Sequence, residues 1–196
     1  MQVKTYALRS LGLVATSLMA TFSMASQAIT LTQPSYTHVS AAYTNSNNST
    51  RGLFIDVEYE LAHKFYATGT FQNSKHTTNQ GQTFRESVID LGLGKYFTIA
   101  DGFTFDTSAS VGRHTPSSSL FNSGNNFYTL NAGFRNRFEA FETRLGVRHI
   151  KFSGQEADQG VVASAWYYPT PQMSVGITFN DVYSKSTWGF GARILF

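Results

Sequence analysis

From residue 52 onward, apolar and polar positions trade places with a period of two. Leu53, Ile55, Val57, Tyr59 and Leu61 interleave with Phe54, Asp56, Glu58 and Glu60. Ile89, Leu91 and Leu93 interleave with Asp90, Gly92 and Gly94, and Phe103, Phe105, Ala109 and Val111 with Thr104, Asp106, Ser108 and Ser110. The same alternation sets Tyr128, Leu130 and Phe134 against Asn131, Gly133 and Arg135, and Leu145 and Val147 against Arg144, Gly146 and Arg148. It ends with Trp188, Phe190, Ala192, Ile194 and Phe196 set against Gly189, Gly191 and Arg193. A two-residue period is that of a β-strand with two different faces. The pattern predicts ten strands, over residues 35–44, 52–61, 65–74, 85–97, 103–113, 126–138, 141–152, 160–168, 173–183 and 187–196.

The connections differ in kind. Short ones at 62–64, 98–102, 139–140 and 169–172 are flanked by aromatics such as Tyr59 and Phe65, Phe97 and Phe103, and Phe138 and Phe141. Long ones at 45–51, 75–84, 114–125 and 153–159 are rich in Asn, Ser, Thr and Gln. Short turns at one end and longer loops at the other are the layout of an up-and-down transmembrane barrel. A soluble barrel would alternate as well, with its apolar face inward. Strand length, aromatics at both ends and a terminal aromatic favour the membrane form, in which backbone groups pair only if the sheet closes on itself. The expected fold is therefore all-β: a closed antiparallel up-and-down transmembrane β-barrel of ten strands, with eight as the alternative if two weaker strands merge.

Composition fits this picture. Aromatics make up 15% and charges only 14%, yet nothing past the first residues approaches the roughly 20 apolar residues of a spanning helix. The start reads as an export signal: Lys4 and Arg9, an apolar stretch over 11–24, and the small-x-small site Ser26-Gln27-Ala28. Cleavage after Ala28 is expected, giving a signal peptide at 1–28 and a barrel domain at 29–196. Removal of Lys4 and Arg9 leaves 13 basic against 12 acidic residues, so the whole-chain net charge of +3 does not point to nucleic acid. Cysteine is absent, and an exported chain of this kind is held by pairing and packing alone.

The closing residues Gly191, Ile194 and Phe196 resemble the C-terminal assembly signal of bacterial outer-membrane proteins, although Gly189 departs from the polar residue usual at its start. With the loop rhythm, the mature chain resembles the small OmpA-like and OmpX-like barrels of the porin superfamily. That resemblance implies an outer-membrane location with both termini periplasmic and the long loops outside. It also implies outer-membrane lipid, lipopolysaccharide and the barrel-assembly machinery as partners, and a monomer. It fixes architecture better than activity.

If the polar parity faces the lumen, its charges are segregated. The acids Asp56, Glu58, Glu60, Asp90 and Asp106 lie on strands two, four and five, and the bases Arg135, Arg137, Arg144, Arg148 and Arg193 on strands six, seven and ten. Buried charges persist when paired, so a salt-bridged lumen is expected, largely plugged and shared with Tyr66, Trp166 and Tyr168. Replacing Arg144 and Arg148 together is expected to weaken or open it. A narrow nonspecific channel is the alternative. A third reading is a lipid hydrolase, because His38-Val39-Ser40 has a His-x-Ser spacing on one strand face like that of lipid A deacylases, which continue with Asn where this chain has Ala41. No enzyme, cofactor or metal is expected: His63, His76, His114 and His149 form no ligand spacing.

Overall fold

A computed structural model of the chain describes residues 33–46, 50–77, 83–117, 124–182 and 185–196. The signal-peptide expectation lies outside the described residues. Ten strands run in chain order: β1 (His38–Ser46), β2 (Thr50–Glu60), β3 (Phe65–Thr77), β4 (Thr83–Ala100), β5 (Phe103–Ser117), β6 (Asn125–Phe138), β7 (Phe141–Phe152), β8 (Asp158–Thr170), β9 (Met173–Val182) and β10 (Lys185–Leu195). Each pairs antiparallel with its sequence neighbours, and β1 pairs with β10 from His38↔Leu195 to Ser46↔Thr187, closing the barrel. No edge strand remains, so every strand backbone has a partner on both sides. The eight-strand alternative is ruled out by this closure.

Strand ends depart from the sequence reading by a few residues at several places, three of which shape the lumen and its turns. β4 runs to Ala100 through an irregularity between Thr98 and Ala100, which reduces the expected five-residue turn to Asp101 and Gly102, the glycine at φ 71°. β3, β4 and β5 extend beyond the predicted limits at their loop ends, because Lys75↔Arg85 and Ser87↔Thr115 continue the ladder into sequence whose polar character suggested loop. Most consequential, β1 begins at His38, so Ser35 and Tyr36 are free to leave the wall.

The sidedness is that of a membrane barrel. Leu91 and Val111 are 67% and 69% exposed on the outer face, with Leu53, Leu93, Leu145, Val147 and Phe190 exposed around the circumference. His38, Glu58, Asp106, Arg135 and Arg193 are buried inside. A continuous apolar outer wall over a charged interior inverts the arrangement of a soluble barrel and suits lipid. At the short-turn end aromatics form a girdle, with Phe103 and Phe134 stacked at 5.5 Å and Phe141 and Tyr167 tilted against each other at 5.1 Å.

The glycines of the polar parity make room for lumen aromatics. A Cβ at Gly94 would lie 2.2 Å from Cζ of Tyr66, and one at Gly176 would lie 2.6 Å from Cε3 of Trp166. Both rings are buried across their glycine neighbours, which narrows the lumen from opposite walls.

Candidate functional site: the charged lumen

Strand parity sends alternate side chains inward, and the ring decides which of them meet. Arg135 on β6 and Arg144 on β7 are direct cross-strand partners, an arrangement that repels unless acids intervene. Two do. Arg135 donates from Nη1 and Nη2 to the two carboxylate oxygens of Glu58 on β2, each at 2.7 Å, and from Nε to Asp106 on β5 at 2.5 Å. The fork of the guanidinium thus spans the lumen, in the geometry that makes Arg-carboxylate pairing strong. Arg144 joins more loosely, with Nη2 at 3.4 Å from Asp106 and Nη1 at 4.0 Å from Glu58.

A second cluster lies beside it. Glu142 accepts from Arg193 at 2.6 Å, from Arg137 at 3.3 Å and from the hydroxyl of Tyr168 at 3.3 Å. The Arg137 guanidinium lies 3.6 Å from the centre of the Tyr168 ring, and that of Arg193 lies 4.2 Å from that of Trp166. Flat cations over aromatic faces fill the bore while remaining paired. Glu142 was not singled out from the sequence. Extending the β7 parity from Arg144 by one step finds it.

Tyr36 closes the short-turn end. It precedes β1, yet its ring stacks on Tyr96 of β4 at 4.1 Å, lies 5.0 Å from that of Tyr66 on β3, and sits 4.4 Å from the Arg135 guanidinium. Its hydroxyl shares a hydrogen bond with Oγ1 of Thr104 at 2.8 Å, and the backbone N–H of Ser35 donates to Glu142 at 3.2 Å. The segment before β1 therefore folds across the lumen. No strand periodicity announces such a turn inward.

The other charges singled out by sequence lie elsewhere. Asp56 pairs with Nε2 of His38 at 3.1 Å, and Nδ1 of that ring lies 4.0 Å from Glu58. Glu60 is exposed at the short-turn rim and accepts from the hydroxyl of Tyr96. Asp90 accepts from Thr70 at 2.5 Å, and Nε of Arg148 donates to Asn131 at 2.8 Å. Ser40 is buried in the lumen on the β1 face that carries His38. Among the described residues no three His, Asp or Glu side chains converge on a point that could hold a metal. Gly191 faces Ala42 across the β1–β10 seam, while Ile194 and Phe196 are exposed on the outer face at the short-turn end.

Above this packed half the lumen opens. A cavity of about 280 Å³ lined by Phe54, Glu86, His114, Phe127, Arg148 and Phe152 occupies the long-loop half. Below it the space shrinks to pockets of about 110 and 30 Å³ that touch Glu58 and Arg144.

No protein-family model matches the sequence, and no curated protein matches it. Among solved structures, the KdgM porin in complex with disordered oligogalacturonate superposes with a TM-score of 0.52 at 9% identity, over 82% of this chain and 99% of that one. Ail from Yersinia pestis in a phospholipid nanodisc gives 0.44 at 15% identity, over 81% of this chain and 97% of Ail, and Neisserial surface protein A gives 0.41 at 11%, over 81% and 94%. With its closed ten-stranded wall, apolar outside and charged inside, the chain has the fold of a small outer-membrane β-barrel.

Proposed function

We propose that the protein is an integral outer-membrane barrel with a lumen closed by its own charges, serving a structural or surface-presenting role through its long loops. In this reading both termini lie on the periplasmic side. The observation that carries it is Arg135 of β6, 2% exposed and held by Glu58 of β2 and Asp106 of β5, with Tyr36 packed on its face. A buried guanidinium with full pairing does not step aside for an ion, because breaking it leaves unpaired charge in a low-dielectric bore.

The long-loop cavity supports a second reading, a narrow channel gated where the 280 Å³ chamber meets the Arg135 layer. Hydrolysis is the weakest, since His38 and Ser40 face the lumen rather than the lipid, and Nδ1 of His38, the ring nitrogen that Asp56 leaves unused, forms no hydrogen bond to Ser40. Single-channel recording of residues 29–196 inserted in planar bilayers separates the first two. Silence from inserted protein is expected for the wild type, with stepwise openings from the double variant Glu58→Ala/Arg135→Ala. Stepwise openings of the wild type would establish the channel and overturn the closed lumen.

A further inference from the structure

Among the described residues the outer wall gathers its basic side chains where β2 to β7 near the long loops, apart from Lys95, which lies over the rings of Phe65 and Phe97 at the short-turn end. Arg51, Lys75 and Arg85 are all exposed, and Arg51↔Lys75 and Lys75↔Arg85 are direct cross-strand partners. Three like charges in one row repel one another, and none has a carboxylate partner among the described residues. Arg113 on β5 and Lys151 on β7 extend the set. The acids of these strands, Asp56, Glu58, Glu60, Glu86, Asp90, Asp106 and Glu142, occupy the inward parity, and the sequence places no acid in the loops at 47–49, 78–82 or 118–123, while Glu156 lies in the β7–β8 loop beyond Lys151. Asp181 is on the outer parity, but on β9 and hydrogen-bonded to Ser186.

The height of these cations is regular. Lys75 stands ten residues from Phe65 on β3, Arg113 ten from Phe103 on β5, and Lys151 ten from Phe141 on β7. Ten residues at about 3.3 Å each, on strands tilted about 40°, rise about 25 Å from the aromatic girdle. That is the height of the apolar band of such barrels, so the cations fall at the level of the opposite headgroups. Between them the outer face forms a hollow of about 730 Å³ walled by Ile89, Leu91, Val111 and Tyr128, with Arg113 and Lys151 at its rim.

We propose that Arg51, Lys75, Arg85, Arg113 and Lys151 form a collar that binds the phosphates of an anionic lipid headgroup in the long-loop leaflet, with the lipid's acyl chain lying in the hollow of Ile89, Leu91 and Val111. Charge complementarity selects this occupant: the row of Arg51, Lys75 and Arg85, with no acid on its outer face or in the loops beside it, needs an anion, and the apolar wall beneath needs a chain. The collar rests on the membrane reading of the barrel and not on the closed lumen.

The test is native mass spectrometry of the refolded barrel released from nanodiscs of phosphatidylcholine mixed with a diphosphorylated glycolipid. Insertion is scored separately by heat-modifiable mobility, so failure to insert sinks the membrane reading and leaves its own signature. Wild-type protein is expected to retain the phosphorylated lipid in preference to phosphatidylcholine, with retention falling as salt rises. Arg51→Gln/Lys75→Gln/Arg85→Gln should lose that preference by roughly 160-fold, and Arg113→Gln/Lys151→Gln by roughly 30-fold, at about 1 kcal/mol per basic group near a charged lipid surface. Inserted variants that keep the wild-type preference would overturn the collar.

Discussion

Arg135 and Glu58 meet face to face across the lumen through two parallel hydrogen bonds of 2.7 Å, although 77 residues separate them in sequence. The contact joins β6 to β2, strands that are not neighbours in the wall. It is a strut, and it sets the order of importance among the lumen charges.

Replacing Arg135 with Ala leaves Glu58 and Asp106 buried without their shared cation, a loss of about 3–5 kcal/mol. Arg135→Lys keeps the charge without the fork and should fall between the two. Urea unfolding in micelles, followed by heat-modifiable mobility, gives the ranking; equal stability of all three proteins would remove the strut.

The pair Arg144 and Arg148, whose joint replacement the sequence reading expects to weaken or open the lumen, is expected to matter less than Arg135. Arg144 reaches its acids at 3.4 and 4.0 Å, and Arg148 donates to Asn131. Arg144→Ala/Arg148→Ala should cost about 1–3 kcal/mol, less than Arg135→Ala alone, in the same unfolding measurement. A larger loss than that of Arg135→Ala would make them, and not Arg135, the centre of the network.

Tyr66 lies over Gly94 so closely that even a methyl group there collides with the ring. Gly94→Ala should lower stability by about 1–3 kcal/mol through overpacking, and adding Tyr66→Leu should recover much of it. A non-additive double-mutant cycle is the expected result, and additivity would place the two apart.

The two tryptophans report the sidedness of the wall. Trp188 is 54% exposed on the outer face and Trp166 is 2% exposed in the lumen. In vesicles with brominated acyl chains, the variant retaining Trp188 (Trp166→Phe) should lose at least half its fluorescence on insertion, and the one retaining Trp166 (Trp188→Phe) little. Equal quenching of both would contradict the assignment of faces.

The sequence by itself determined the strands and their two faces, because parity is local: Leu91 and Asp90 point opposite ways whatever the rest of the chain does. It also determined the up-and-down order, since tight turns such as Glu139-Ala140 leave consecutive strands no choice but to pair. That most of the inward arginines and acids fall in the short-turn half was legible for the same reason. Only the tertiary structure decided who meets whom. Closing ten tilted strands fixes which residues face one another across the bore, a relation with no sequence spacing, so Arg135 found Glu58 while Glu60 was left at the rim. Tyr36 turned inward because the ladder begins only at His38, which frees the preceding residues to pack on Tyr96 and Arg135. The basic collar, too, emerged from register, because Arg51, Lys75 and Arg85 form a row only once β2, β3 and β4 are aligned.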